Sequence, residues 1–128
     1  MNKQPLVIIT GKIVHGRGRG KEVGMPTANL KMDRQINLPG FGVYASSICV
    51  ENKWYMGVTN IGLRPSVDDD KDITIETFIL DFDYEIYDLS VELKIFKYIR
   101  DTIKMDSLRK VQLQVKKDSE SVRQFFEK

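Results

Sequence analysis

The sequence is poor in the residues that carry most redox and metal chemistry. Cys49 is its only cysteine and His15 its only histidine. An intrachain disulfide, a cysteine zinc cluster and a histidine-rich metal site are therefore excluded. No apolar run approaches the roughly 20 residues that a membrane helix needs. The run Leu6-Val7-Ile8-Ile9 meets Thr10-Gly11-Lys12 at once, too short for a signal-peptide core, and no small-residue cleavage site follows it. The chain accordingly reads as cytoplasmic. A dominant charge is lacking as well: 20 basic residues against 18 acidic ones leave +2, too even to call for a nucleic acid or a membrane surface. Internal repeats and low-complexity tracts are absent, which removes solenoids and linkers. What remains is a 128-residue chain with 41% hydrophobic and 30% charged residues. That is the length of a single domain, read as spanning 1–128, and enough to bury roughly two-thirds of its unfolded surface.

The first three-quarters reads as β-structure. Leu6 to Ile13 is a β-branched run, and Gly42 to Val50 and Lys53 to Asn60 flank Glu51-Asn52, a hairpin turn. Asp72 to Phe82 and Leu89 to Phe96 are the clearest strands; in the latter Leu89, Val91, Leu93 and Ile95 alternate with polar neighbours, as a half-buried strand requires. Glycine and proline punctuate Gly16 to Pro26, Pro39-Gly40 and Gly62 to Pro65, and Asp68-Asp69-Asp70 forms an acidic tip. The last quarter changes period. Asp106 can cap a helix with Leu108, Val111 and Val115 on one stripe, and Asp118 can cap a further turn or two that bury Val122 and Phe125 or Phe126. Short strands with a closing helix suit a small antiparallel barrel of about residues 5–100 with a helical segment over about 106–127. An open α+β sandwich fits the same order of elements.

The densest chemistry lies in His15-Gly16-Arg17-Gly18-Arg19-Gly20-Lys21-Glu22-Val23-Gly24-Met25-Pro26-Thr27-Ala28-Asn29. Glycines let backbone amides approach an anion, and Arg19 and Lys21 add the charge that phosphate favours. The stretch is not a P-loop, because no Gly-Lys-Ser/Thr ends it, and its evenly spaced Gly16, Gly18 and Gly20 miss the dinucleotide fingerprint. A lone loop of this kind reads first as a surface loop. Thr27 and Asn29, however, alternate around Ala28, so on an extended segment both oxygens point the same way. Mg²⁺ takes oxygen ligands and leans on substrate phosphates for the rest, which two neutral ligands beside a phosphate loop would suit. Capping of a turn explains the same pair.

Glu76 lies in Ile73-Thr74-Ile75-Glu76-Thr77-Phe78-Ile79-Leu80-Asp81-Phe82 and shares its face with Thr74, Phe78, Leu80 and Phe82. Partial burial would raise this carboxyl toward the range useful for a general base. A salt bridge to Arg64 or Arg100, or a place at a sheet edge, accounts for it equally well. Trp54-Tyr55 reads as barrel packing, His15 as a loop hydrogen-bonder and Cys49 as a small buried hydrophobe.

Taken in order, several blocks resemble riboflavin kinases. They are Gly11-Lys12-Ile13-Val14-His15-Gly16-x-Gly18-Arg19-Gly20 through Gly24-Met25-Pro26-Thr27-Ala28-Asn29-Leu30, then Leu38-Pro39 with Gly42-Val43-Tyr44-Ala45, Asn60-Ile61-Gly62-x-Arg64-Pro65, Ile75-Glu76-Thr77-Phe78-Ile79-Leu80-Asp81-Phe82, and Ile99-Arg100-Asp101 before Asp106-Ser107-Leu108. The resemblance implies a mainly β fold, a small closed antiparallel Greek-key barrel with a C-terminal helix. It also implies transfer of the γ-phosphate of ATP to the 5′-hydroxyl of riboflavin, giving FMN and ADP. On this resemblance Thr27 and Asn29 hold Mg²⁺, or another divalent cation, with the nucleotide phosphates, and Glu76 is the catalytic base. His15, Gly16, Gly18, Arg19, Gly20, Lys21, Gly24 and Pro26 belong to the loop over the ATP phosphates. Arg100, Asp101, Asp106 and Ser107 belong to the loop that closes over the flavin. Phosphoryl transfer needs mostly positioning and charge stabilisation, so one base, one cation and an amide-lined loop can suffice.

Three positions depart from the family pattern. Thr102 stands where an acid is common, Met105 where an aromatic is common, and Ser66 where threonine usually follows Arg64-Pro65. Many bacterial relatives carry an N-terminal adenylyltransferase domain that makes FAD; the expectation here is a single kinase domain without it, acting as a monomer on small molecules, with no nucleic-acid or membrane partner. The competing classes are a catalytically weak flavin- or nucleotide-binding regulatory module and an OB-like nucleic-acid-binding barrel. The latter would place Arg17, Arg19 and Lys21 on phosphates and stack bases on Trp54, Tyr55 or Tyr44, against which the acidic runs Asp68 to Asp72 and Asp81 to Asp88 count.

Overall fold

A computed structural model describes residues 3–14, 27–65, 71–82 and 88–127. Strands β1 (Val7–Val14), β2 (Thr27–Met32), β3 (Gly42–Val50), β4 (Lys53–Pro65), β5 (Lys71–Ile79) and β6 (Ser90–Arg100) precede helix α1 (Leu108–Glu127). Every pairing is antiparallel, and the order around the sheet is β1-β2-β5-β4-β3-β6, with β6 returning to β1. The closed barrel, not the open sandwich, is the fold. Closure over Val7↔Ile95 through Lys12↔Ser90 leaves no edge among the described strands to pair with another chain.

Alternation builds the interior. Ile9 and Ile13 of β1, Ala28 and Leu30 of β2, Ile75 and Ile79 of β5, and Val91, Leu93 and Ile95 of β6 point inward and pack with Tyr44, Ile48, Val50, Ile61 and Phe82. The β3–β4 hairpin turns on Glu51 (φ 50°) and Asn52 (φ 69°), the two left-handed residues of a type I′ turn, whose twist matches the strands it joins. Inside the barrel Thr59 Oγ1 lies 2.7 Å from Ser46 Oγ and 2.8 Å from Thr77 Oγ1, so three buried hydroxyls satisfy one another.

A second apolar cluster lies outside the barrel. Val43, Ala45, Val58 and Leu80 meet Val122 of α1, with Phe78, Ile99, Phe125 and Phe126 around them. Two arginine forks fix the helix on this patch. Arg100 donates to Asp118 from Nε (2.9 Å) and Nη2 (2.8 Å), and Arg123 donates to both oxygens of Asp81 at 3.0 Å. Among the described residues no helix is long and apolar enough to cross a membrane.

The structure corrects several local expectations. The helix runs unbroken through Asp118, which caps nothing: at 3% exposure its charge stays buried because Arg100 and Gln114 (3.0 Å) hydrogen-bond it. The cap at the start of α1 is Ser107, whose hydroxyl accepts from the Lys110 amide at 3.2 Å; Asp106 pairs instead with the Lys110 ammonium at 2.9 Å. Leu108 is exposed, whereas Val111 and Val115 are half-buried on the same stripe as Asp118, Val122 and Phe125. β5 stops at Ile79, and left-handed Asp81 (φ 57°) breaks the alternation, turning Phe82 into the interior while Leu80 stays outside. Cys49 is half-buried, not core. Trp54, directly opposite it, is exposed beneath the Lys94 ammonium, 4.6 Å from the ring, whereas Tyr55 does pack, on Phe82.

Candidate active site on the outer barrel face

β2, β5 and β4 lie side by side, and their register decides the site. Asn29 is directly opposite Glu76, and Glu76 is in turn directly opposite Asn60. Ala28, Ile75, Thr77 and Ile61 face inward, so Asn29, Glu76 and Asn60 stand in one row on the outer surface, neighbours separated by about 5 Å at Cβ. Thr27 is on the same face, one pleat along β2 and opposite Phe78. The row borders the patch that α1 covers: Val58 and Phe78, one pleat along β4 and β5, belong to it.

Among the site residues expected from the sequence, Thr27, Asn29 and Glu76 come together in this way. Arg100 ends β6 and is committed to Asp118; its Nη1 also donates to the carbonyl of Asp101 at 2.9 Å. Arg100 therefore anchors the following segment from below. Asp101 accepts a hydrogen bond from the Tyr98 hydroxyl. The segment continues through Thr102, which donates to Asn60 Oδ1 at 2.8 Å, to exposed Asp106 and the Ser107 cap. Its residues Ile103, Lys104, Met105 and Asp106 line, with Lys110, a cleft of about 460 Å³. His15, Gly16, Gly18, Arg19, Gly20, Lys21, Gly24 and Pro26 lie outside the described residues, as do Ser66 and the acidic tip Asp68 to Asp70. The side chain of Arg64, one of the two ion-pair partners considered for Glu76, is likewise not described.

Asn60 is the residue that sequence reasoning missed. It sits in a conspicuous Asn-Ile-Gly block, but only the β4–β5 register shows that it faces Glu76. Two amides flanking one carboxylate make an arrangement that can take up a proton and orient a hydroxyl beside it. A hydroxyl oxygen from Thr27, an amide oxygen from Asn29 and the nearby carboxylate are hard donors, suited to Mg²⁺. Among the described residues no three His, Cys, Asp or Glu side chains could hold a metal ion.

The family model described as Flavokinase, riboflavin kinase, matches residues 4–126. A bifunctional riboflavin kinase/FMN adenylyltransferase from Listeria monocytogenes is 35% identical over 118 residues, covering 92% of this chain and 38% of the relative. An RNA-binding riboflavin kinase from Bacillus subtilis is 37% identical over 122 residues, covering 95% and 52%. The chain thus spans between two-fifths and about half of the length of these relatives. A crystal structure described as a macrolide-efflux protein from Streptococcus pneumoniae superposes with a TM-score of 0.85 at 33% identity, over 93% of this chain and 38% of that one. The riboflavin kinase of Trypanosoma brucei shares the fold at TM-score 0.64 and 23% identity, over 94% of this chain and 80% of that one.

Proposed function

The chain belongs to the riboflavin kinase family, and on that premise we propose that it transfers the γ-phosphate of ATP to the 5′-hydroxyl of riboflavin, giving FMN and ADP. The observation that carries this reading is the row Asn29–Glu76–Asn60, a carboxylate held between two amides on adjacent strands. In the proposed reaction Glu76 takes the proton of the 5′-hydroxyl as its oxygen bonds to the γ-phosphorus, and the bond from that phosphorus to the β–γ bridging oxygen breaks, releasing ADP. Thr27 and Asn29 would hold Mg²⁺ together with the nucleotide phosphates. Held there, such a cation would supply charge that offsets the negative charge of the transferring group. The nucleotide would then lie on the β2 side of Glu76, and the acceptor on the β4 side, beside the segment Arg100 to Ser107. We further propose that the barrel of about 5–100 and the helical segment of about 106–127 act as one kinase domain.

Incubation of the purified protein with riboflavin, ATP and Mg²⁺, followed by chromatography, tests the reading. FMN should form, and only when the nucleotide and a divalent cation are both present. A folded protein that makes no FMN at saturating substrates contradicts it and leaves a flavin- or nucleotide-binding module.

A further inference from the structure

The contact between α1 and the barrel has an ionic pair at its centre, where an apolar pair would serve the packing. Asp118 is buried on the packed face of the helix beside Val122 and accepts hydrogen bonds from Arg100 Nε and Nη2 and from Gln114 Nε2. Well-packed hydrophobic residues in place of such a pair are often neutral or stabilising, so burial alone does not account for it. What the pair supplies is a guanidinium fixed in one plane by a bidentate contact. Its Nη1 is left to donate to the Asp101 carbonyl at 2.9 Å. That carbonyl belongs to the first residue beyond β6, and no aliphatic side chain at position 100 could hold it.

The same helix holds the other end of the segment that follows. Ser107 caps α1 at the Lys110 amide, and the Lys110 ammonium meets Asp106. At the β6 end Asp101 accepts from the Tyr98 hydroxyl and Thr102 donates to Asn60. Ile103 and Lys104 lie exposed between these ties. Where they sit therefore depends on how firmly the two ends are held, and α1 acts on both.

We propose that Asp118 is a positioning residue: acting through Arg100, it fixes the exit of β6 and with it the segment Asp101 to Ser107. The helix is then a frame for that segment and not only a cover for the apolar patch on the barrel. The inference rests on the phosphotransfer reading above for what the segment does, but not for what holds it.

Replacing both members of the pair separates positioning from stability. Asp118→Leu alone strands the guanidinium and should lower the thermal midpoint. Arg100→Met together with Asp118→Leu fills the patch and should return the midpoint close to the wild-type value, yet nothing then holds the Asp101 carbonyl. In that double variant, free of ligand, tryptic cleavage after exposed Lys104, followed by mass, should run about tenfold faster than in the wild type. That is the scale of one hydrogen bond from a charged donor, because cleavage tracks the population of the locally opened segment. Cleavage after Lys97, inside β6, should stay unchanged. The KM for riboflavin should rise about tenfold, with the KM for ATP unaltered. A pair that serves only the fold predicts that cleavage after Lys104 and both KM values recover with the midpoint, and that result overturns the inference. A KM for ATP that rises as far as that for riboflavin overturns it too. Should the double variant fail to fold, Asp118→Asn, which keeps the shape and one accepting oxygen, makes the same comparison at smaller amplitude. A wild-type protein that makes no FMN removes the kinetic arm together with the phosphotransfer reading, and cleavage after Lys104 then decides whether Asp118 holds the segment.

Discussion

At the scale of single residues, the proposed chemistry depends on which side chains share a face. Substitution separates two readings of Asn29, the proposed cation ligand and a structural residue of β2. As a ligand to a cation shared with phosphate, its loss in Asn29→Ala should sharply raise the KM for MgATP while leaving the unfolding midpoint nearly unchanged. Matched losses of stability and activity would make it a structural residue of β2 instead. Thr59 is the opposite case. Its hydroxyl stands between Ser46 and Thr77 in the barrel interior, and Thr59→Val would leave both partners buried without it. That should cost about 1–3 kcal/mol, measured by denaturant unfolding, with Thr59→Ser costing less. The sequence made Thr27, Asn29 and Glu76 legible because their residue types fit a reaction and their blocks resemble a family. Asn60 stands in a block that also resembles the family, but its residue type suggested no role. Its importance comes from the residue opposite it, and a register between strands joined through residues 66–70 is not written in either strand alone.

At the scale of elements, the strands read well from alternation and the helix only in part. Leu89 to Ile95 alternates strictly and is buried as that alternation requires. In α1 the apolar stripe Leu108, Val111 and Val115 leads into the packing face, on which Val111 and Val115 are half-buried and only Leu108 is exposed. The buried face includes a carboxylate, which no apolar pattern marks, because its partner Arg100 lies on β6. Removing Asp118 leaves the Arg100 guanidinium over an apolar patch. Loss of one member of a buried pair costs about 3–5 kcal/mol, and the partial exposure of Arg100 softens this, so Asp118→Ala should destabilise by about 2–3 kcal/mol. A pair of well-packed apolar replacements at 100 and 118 should recover most of that loss.

The second fork responds to pH. Hydrogen bonds from Arg123, aided by its charge, hold the Asp81 carboxyl below its ordinary range, while slight burial works the other way. A carboxyl lowered on folding stabilises fully above its unfolded value and loses that contribution as pH falls through the folded one. Thermal midpoints should therefore drop below about pH 4 partly through this group, and Asp81→Asn should make that drop shallower. An identical acid profile in the variant would show that the exposed fork contributes nothing measurable.

At the scale of the whole molecule, closure of the barrel brings the chemistry together. β2 and β5 are neighbours although β3 and β4 intervene in sequence, and that Greek-key crossing is what sets Asn29 beside Glu76. A closed sheet has no fraying edge, so amides of β1 and β6 should resist hydrogen exchange as well as those of the β3–β4 hairpin. Exchange orders of magnitude faster in β1 would mean that the β1–β6 seam opens. The account as a whole turns on Glu76 acting on a riboflavin hydroxyl at the outer face. Glutamine keeps its volume and one accepting oxygen but cannot take the proton. The most direct measurement is therefore kcat for riboflavin phosphorylation by Glu76→Gln, taken with its thermal midpoint. The account predicts a fall of about 10²–10⁴-fold in kcat with an unchanged or slightly higher midpoint; a near-normal kcat, or a loss of stability with turnover per folded molecule intact, would contradict it.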